Sequence, residues 1–140
     1  MPNIHPLLVH LPIALLTISF LFDALGLLTK KQELERTAWW TLLAGTIGLA
    51  ATVVSGLLAE KTVSIADFAR EHFETHEQIA FIVASIYSVL LLWRIAGGTS
   101  LPKQKEWLFV GLSLAGVILI WTGAWYGGEL VYRFGVGVQK

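Results

Sequence analysis

The sequence predicts an all-α integral membrane protein, an up-down-up-down four-helix bundle with a short interfacial amphipathic helix between spans two and three. Three observations carry that expectation. Four apolar runs are each close to the roughly 20 residues a helix needs to cross a bilayer. The chain is 55% hydrophobic and only 14% charged, with a mean hydropathy of +0.67, whereas soluble domains carry about 25% charged residues. Short polar or Gly/Pro-containing segments separate the runs, as a bundle of sequential antiparallel helices requires.

The first span is expected over about 6–29. Pro6 suits its first turn, where a missing N–H costs little. Pro12 lies deeper and should free the Leu8 carbonyl or bend the first turns. No Lys or Arg precedes this run and it is long enough to span, so it does not read as a cleavable signal. Asp23 is its one acid. Intramembrane acids are functional candidates by default, but a pairing with Arg36 or Arg94 near the far end is the simpler expectation.

Lys30 to Arg36 reads as a charged loop, followed by a second span over about 37–59 with Trp39 and Trp40 at the interface. Ala44, Gly48, Thr52 and Gly56 recur every four residues and make a smooth stripe, suited to close helix packing or to a flat cofactor. Glu60 to Thr75 is the main polar segment. Ser64-Ile65-Ala66-Asp67 resembles a capping box, and Ile65, Phe68, Ala69, His72, Phe73 and His76 then share one helical face. That pattern predicts an interfacial helix over about 65–75, feeding a third span over about 76–96. Gly97, Gly98 and Pro102 mark a turn. The fourth span is expected over about 106–126, with Gly111, Ala115, Gly123 and Gly127 as a second small-residue stripe. The tail from Gly127 to Lys140 should lie as an ordered segment over the helix mouths. The Ser and Thr residues within the spans have no nucleophile motif and are expected to bond backbone carbonyls.

Chemistry concentrates in the histidines. The chain has four, His5 and His10 opening the first span and His72 and His76 opening the third. Four crossings return both openings to the same membrane face, which then gathers His5, His10, Glu60, His72, His76, Glu77, Tyr126, Glu129, Tyr132 and Arg133. Each hairpin thus begins with a histidine pair, 5/10 and 72/76, which hints at duplication, although the remaining residues do not align. Cationic residues favour the opposite face, with Lys30, Lys31, Arg36, Arg94, Lys103 and Lys105 against Lys61, Arg70, Arg133 and Lys140. By the positive-inside rule that face is cytoplasmic. Both termini and the histidines would face outward, to a periplasm if the protein sits in a bacterial inner membrane.

The absence of Cys excludes disulfides, thiolate metal sites and covalent haem attachment. A net charge of +0 gives no attraction to nucleic acid, and no Gly-rich loop follows a strand to bind a nucleotide. Imidazoles do suit haem iron, zinc or copper, and two of them on facing helices can hold a b-type haem without thiols. His10 and His76, the deeper member of each pair, are the expected axial ligands. His5 and His72 are the shallower supporting groups. Gly56, Phe68, Phe73, Gly123 and Trp125 are the expected walls, with Tyr126 at the cofactor and Arg133 as a propionate partner. The same histidines with Glu60, Glu77 or Glu129 describe a Zn²⁺ or Cu²⁺ site instead. His72 and His76, at i and i+4, can share one metal. His5 and His10 lie about 140° apart on a straight helix and chelate together only if the prolines distort the turn. The third reading has no cofactor and makes the chain an accessory subunit of a larger redox membrane complex, or a homo-oligomer. All three describe a carrier, site or subunit rather than an enzyme, with the lipid bilayer as the common partner.

The run His5-Pro6-Leu7-Leu8-Val9-His10-Leu11-Pro12-Ile13-Ala14-Leu15-Leu16 resembles the opening of the domain-of-unknown-function-2231 family of small predicted membrane proteins. The tail Gly127-Gly128-Glu129-Leu130-Val131-Tyr132-Arg133-Phe134-Gly135-Val136-Gly137-Val138 is similar to that family's closing motif. The resemblance implies the same four-span layout. Members often carry a histidine near the tail motif, where this chain has Trp125 and Phe134, so any ligand supplied there is missing here. Relatives fused to cytochrome-like domains associate the family with redox surroundings.

Overall fold

A computed structural model describes residues 4–138. The chain forms a short helix α1 (His5–Leu8) and four long ones, α2 (His10–Thr29), α3 (Gln32–Glu60), α4 (Asp67–Ala96) and α5 (Glu106–Tyr132), with no strand among the described residues. With α1 and α2 counted as one span, four helices are long and apolar enough to cross a membrane. The expected all-α four-span bundle is the observed fold.

Local chemistry explains the boundaries. Pro12 has no N–H for the Leu8 carbonyl, and the helix is interrupted at Val9, between α1 and α2. The freed carbonyl accepts the Thr52 hydroxyl of α3 at 3.2 Å, so the interruption becomes an interhelical bond. The first loop is shorter than expected. Lys30 takes a left-handed φ of 56° and α3 begins at Gln32, because Glu33 and Glu35 in its first turn complement the helix dipole. Thr17, Thr46, Thr52, Ser85 and Thr122 each donate to the carbonyl four residues earlier, as expected of hydroxyls in apolar helices.

The separate interfacial helix over 65–75 is not present. Residues 67–96 form one helix. No Gly or Pro interrupts that stretch, and the face that looked amphipathic continues the buried stripe, with Ala69, Val83, Tyr87 and Leu90 all at most 1% exposed. Nor does Ser64 cap it. The N-cap is Ala66, with no side-chain cap bond. At the other end α5 runs through Gly127-Gly128 to Tyr132.

The packing is that of two hairpins, α2/α3 and α4/α5, joined by α2–α5 and α3–α4 contacts, with α2 and α4 diagonal to one another. Between them lies a core of Leu16, Leu42, Leu49, Val83, Tyr87, Leu90, Phe109 and Ile120. The hairpins are repeats of each other, in a register the histidine pairs concealed. Residue 5 corresponds to 76, not to 72, and every other residue of the first hairpin to the one 71 positions later. In that register His5 matches His76, Gly26 matches Gly97, Glu35 matches Glu106, Leu43-Ala44-Gly45 matches Leu114-Ala115-Gly116, and Gly56 matches Gly127.

The contacts follow the same rule. Gly45 admits Leu16 while Gly116 admits Tyr87, and Gly56 lies under His5 while Gly127 lies under His76. Equivalent residues also meet each other across the bundle, His5 with His76 at one end and Asp23 with Arg94 at the other. Contacts of a residue with its own counterpart are the mark of a two-fold arrangement. The two hairpins are thus arranged as equivalents about an approximate two-fold axis through both pairs.

Candidate functional site

His5 sits at the start of α1 and His76 one third of the way along α4. Their ring centroids are 6.4 Å apart with planes at 83°. Each ring is held in the same way by its own hairpin. His5 Nδ1 donates to the Thr52 carbonyl at 3.0 Å and shares that proton with the Ser55 hydroxyl oxygen at 3.0 Å, while the Ser55 hydroxyl itself donates to Thr52. His76 Nδ1 donates to the Gly123 carbonyl at 2.9 Å. A carbonyl can only accept, so Nδ1 carries the proton in both rings and the lone pair lies on Nε2. This fixing of tautomer and ring direction through Nδ1 is the usual preparation of an imidazole for a metal.

The two acceptors occupy equivalent positions, one turn before Gly56 and Gly127. A side chain at either glycine would crowd the ring, since a Cβ would stand 3.1 Å from the histidine Cε1 in each case. The glycines are therefore the floor of the two imidazoles. Pro12 contributes indirectly, because the bond from Thr52 to Leu8 ties α1 to the same turn of α3 that holds His5.

Both rings face a cavity of about 1170 Å³ at the terminal end of the bundle. It exceeds the roughly 300–1,000 Å³ of ordinary small-molecule sites. Its walls come from all the helices, with Val9, Ile13, Leu49, Phe73, Ile79 and Ile120 among its apolar members, and from residues 62–65 and 135–138. Glu60 and Glu77 line it, and no Lys or Arg does among the described residues.

The predicted site residues divide into those that line the cavity and those, Tyr126, His72 and Arg133 among them, that do not. His5, His10, His76, Glu60, Glu77 and Tyr132 line the cavity, as do the expected walls Gly56, Phe73 and Gly123. Of these, His5 rather than His10 stands against His76, and His10 is exposed at the edge. His72 lies outside the cavity, between Tyr126 and Phe134 at centroid distances of 5.4 and 4.9 Å. Arg133 is on the outer surface, paired with Glu129 at 3.0 Å. Phe68 packs on Phe134, and Trp125 lines a separate surface groove with Trp121. No three His, Asp or Glu side chains are close enough to hold a metal ion together among the described residues.

Sequence reasoning missed Thr52 and Ser55 as the partners of His5, whereas the tail, expected over the helix mouths, does line the cavity through residues 135–138. The repeat would have pointed to the first of these partners, since it equates Thr52 with Gly123.

A short apolar chain with proline-bounded histidines at one end and a glycine-rich tail across them matches one known family over residues 1–140, described as "Predicted membrane protein (DUF2231)". The chain belongs to the DUF2231 family. No curated protein and no solved structure matches it. Membership over the full length agrees with the four long apolar helices.

At the opposite end of the axis, Arg94 Nη1 donates to Asp23 Oδ2 at 2.6 Å, Nη2 to the Glu35 carbonyl at 2.7 Å and Nε to the Thr99 carbonyl at 2.9 Å. Of the two cations expected for Asp23, the partner is Arg94. Both residues are 0% exposed, which makes this end a closed tie across the diagonal rather than a binding site.

Proposed function

We propose that this DUF2231 protein is a membrane b-type haem protein with a single centre, held by His5 and His76, and that it carries electrons. The supporting observation is the pair of equivalent imidazoles facing one another across the two-fold axis, each anchored through Nδ1. With metal–nitrogen bonds of roughly 2 Å, two imidazoles on opposite sides of one ion have centroids roughly 6 Å apart, and the observed separation is 6.4 Å. Haem iron needs only two axial ligands from the protein, whereas a protein-bound Zn²⁺ usually takes three or four. The donor set therefore fits haem better than a bare Zn or Cu ion. A bound haem would supply reversible one-electron chemistry in an apolar surrounding.

The chain's own contribution is to fix both ring directions, exclude water with apolar walls, and set the charge nearby. That charge is acidic, through Glu60 and Glu77. The cavity wall offers no cation to haem carboxylates, and Arg133, expected in that role, is engaged with Glu129. Negative wall charge would favour the oxidised state of a bound haem.

Orientation follows from the loops. With Arg94 neutralised by Asp23, Lys30, Lys31, Arg36, Lys103 and Lys105 still outnumber the cations of the terminal face. The loops then lie in the cytoplasm of a bacterial inner membrane and the histidines face outward. A membrane-impermeant label reaching a C-terminal tag from outside intact cells agrees with this, and labelling only after lysis contradicts it. For the haem, the purified protein titrated with hemin should develop the sharp low-spin spectrum of two imidazole ligands at one equivalent. A featureless titration removes the proposal.

A further inference from the structure

We propose that residues 133–138 are a detachable strap over the cavity, latched by Phe134 against the N-terminal turns of α4, and that His72 is part of this latch. The inference goes beyond the haem reading and holds whatever the cavity binds. After α5 ends at Tyr132, the chain turns back on itself. Val136 N–H bonds the Leu130 carbonyl at 2.8 Å, and Gly135 and Gly137 take φ of +66° and +77°, a region that side chains other than glycine's rarely adopt. This fold-back lays residues 135–138 along the cavity wall.

What holds the strap down on α4 is aromatic. The Phe134 ring lies 4.9 Å from His72 and 5.9 Å from Phe68. His72 is backed in turn by Tyr126 at 5.4 Å, and the Arg133 guanidinium lies 5.3 Å from the Phe134 ring. Phe68 remains 71% exposed, so the Phe134 contact covers only part of that ring. These ring contacts tie a short segment through a few side chains, which suits an element that releases and re-engages. His72, the histidine that takes no part in the cavity, thereby acquires a role. Phe68 and His72, in the first two turns of α4, are the seat for the strap.

The chain has no Cys, so a single introduced thiol reports on the cavity. Ala124→Cys places it on the cavity wall, and Ser100→Cys, in the exposed turn after α4, serves as the control. The reaction of each with a soluble maleimide is followed in detergent-solubilised protein. Adding Phe134→Ala, or truncating after Arg133, should speed labelling at 124 by about ten-fold, the worth of one or two aromatic contacts, and leave labelling at 100 unchanged. His72→Phe should keep the slow rate and His72→Ala should not. Equal rates at 124 in the parent, Phe134→Ala and the truncation overturn the strap. If His72→Phe labels as fast as His72→Ala, His72 is not part of the latch and the proposal for it fails. The haem titration is read separately, so loss of one proposal does not decide the other.

Discussion

The two ends of the bundle axis each pair equivalent residues of the two hairpins and have opposite characters. At the loop end Asp23 meets its counterpart Arg94, and every polar atom of the pair but Asp23 Oδ1 is bonded within a site closed to solvent. At the terminal end His5 meets its counterpart His76, with Nδ1 of each ring tied to its own hairpin and a large cavity alongside. Two-fold packing places equivalent residues face to face on the axis. Two like charges cannot share a buried site, so a charged pair there is stable only if the two are opposite in sign. Two imidazoles can share such a site without opposite charges, and both positions are histidine. The closed end fastens the hairpins, and the open end is where the structure leaves chemistry to be done.

That contrast breaks most visibly at the closed end. Arg94→Ala leaves Asp23 buried without a counter-charge and should cost about 3–5 kcal/mol, read as lost resistance to thermal or detergent unfolding by circular dichroism. Replacing both partners, with Asp23→Leu and Arg94→Met, should recover most of that loss. A double variant as unstable as the single one would mean that the Glu35 and Thr99 carbonyls, not the ion pair, carry the tie.

Next in size is the glycine pair that admits the core side chains. A Cβ on Gly116 would stand 2.8 Å from the Tyr87 ring, and that ring is completely buried, so Gly116→Ala should cost about 1–3 kcal/mol through overpacking. The glycines of the open end behave differently. Gly56→Ala and Gly127→Ala each meet a ring at 3.1 Å that can tilt toward the cavity. They should alter the spectrum of the hemin-titrated protein to similar extents, while changing stability less than Gly116→Ala. Unequal spectra would count against the two-fold equivalence.

Smaller again is Thr52→Val, which removes the hydroxyl on the carbonyl freed by Pro12 and should cost about 1 kcal/mol. Smallest is His10→Ala, an exposed change expected to stay within about 0.5 kcal/mol.

Much of this architecture was legible in the sequence because membrane spans are long, apolar and bounded by charge. The number of spans alone brought the histidine openings to one face. The Pro12 interruption and the Asp23–Arg94 pairing followed from missing donors and unpaired charges, which leave few partners to choose from. What was not legible depended on register. His10 looked deeper than His5 along the chain, but residues five apart point in different directions, and the bonds to Thr52 and Ser55 decide which ring turns inward. The polar stretch before His76 looked like a separate surface helix because its outward face is charged, though nothing in it ends a helix. The repeat was hidden by matching each histidine pair as a unit. Only His5 and His76 are counterparts, and the 71-residue register gives His10 a phenylalanine, Phe81, and His72 a methionine, Met1.

The central claim is that one centre is shared by His5 and His76 on the axis. The direct test is the absorption spectrum of hemin-titrated His5→Ala, His76→Ala and His10→Ala side by side. The account predicts that the two-imidazole spectrum is lost to the same extent in the first two and kept in the third. A spectrum that survives His5→Ala and disappears in His10→Ala would contradict it.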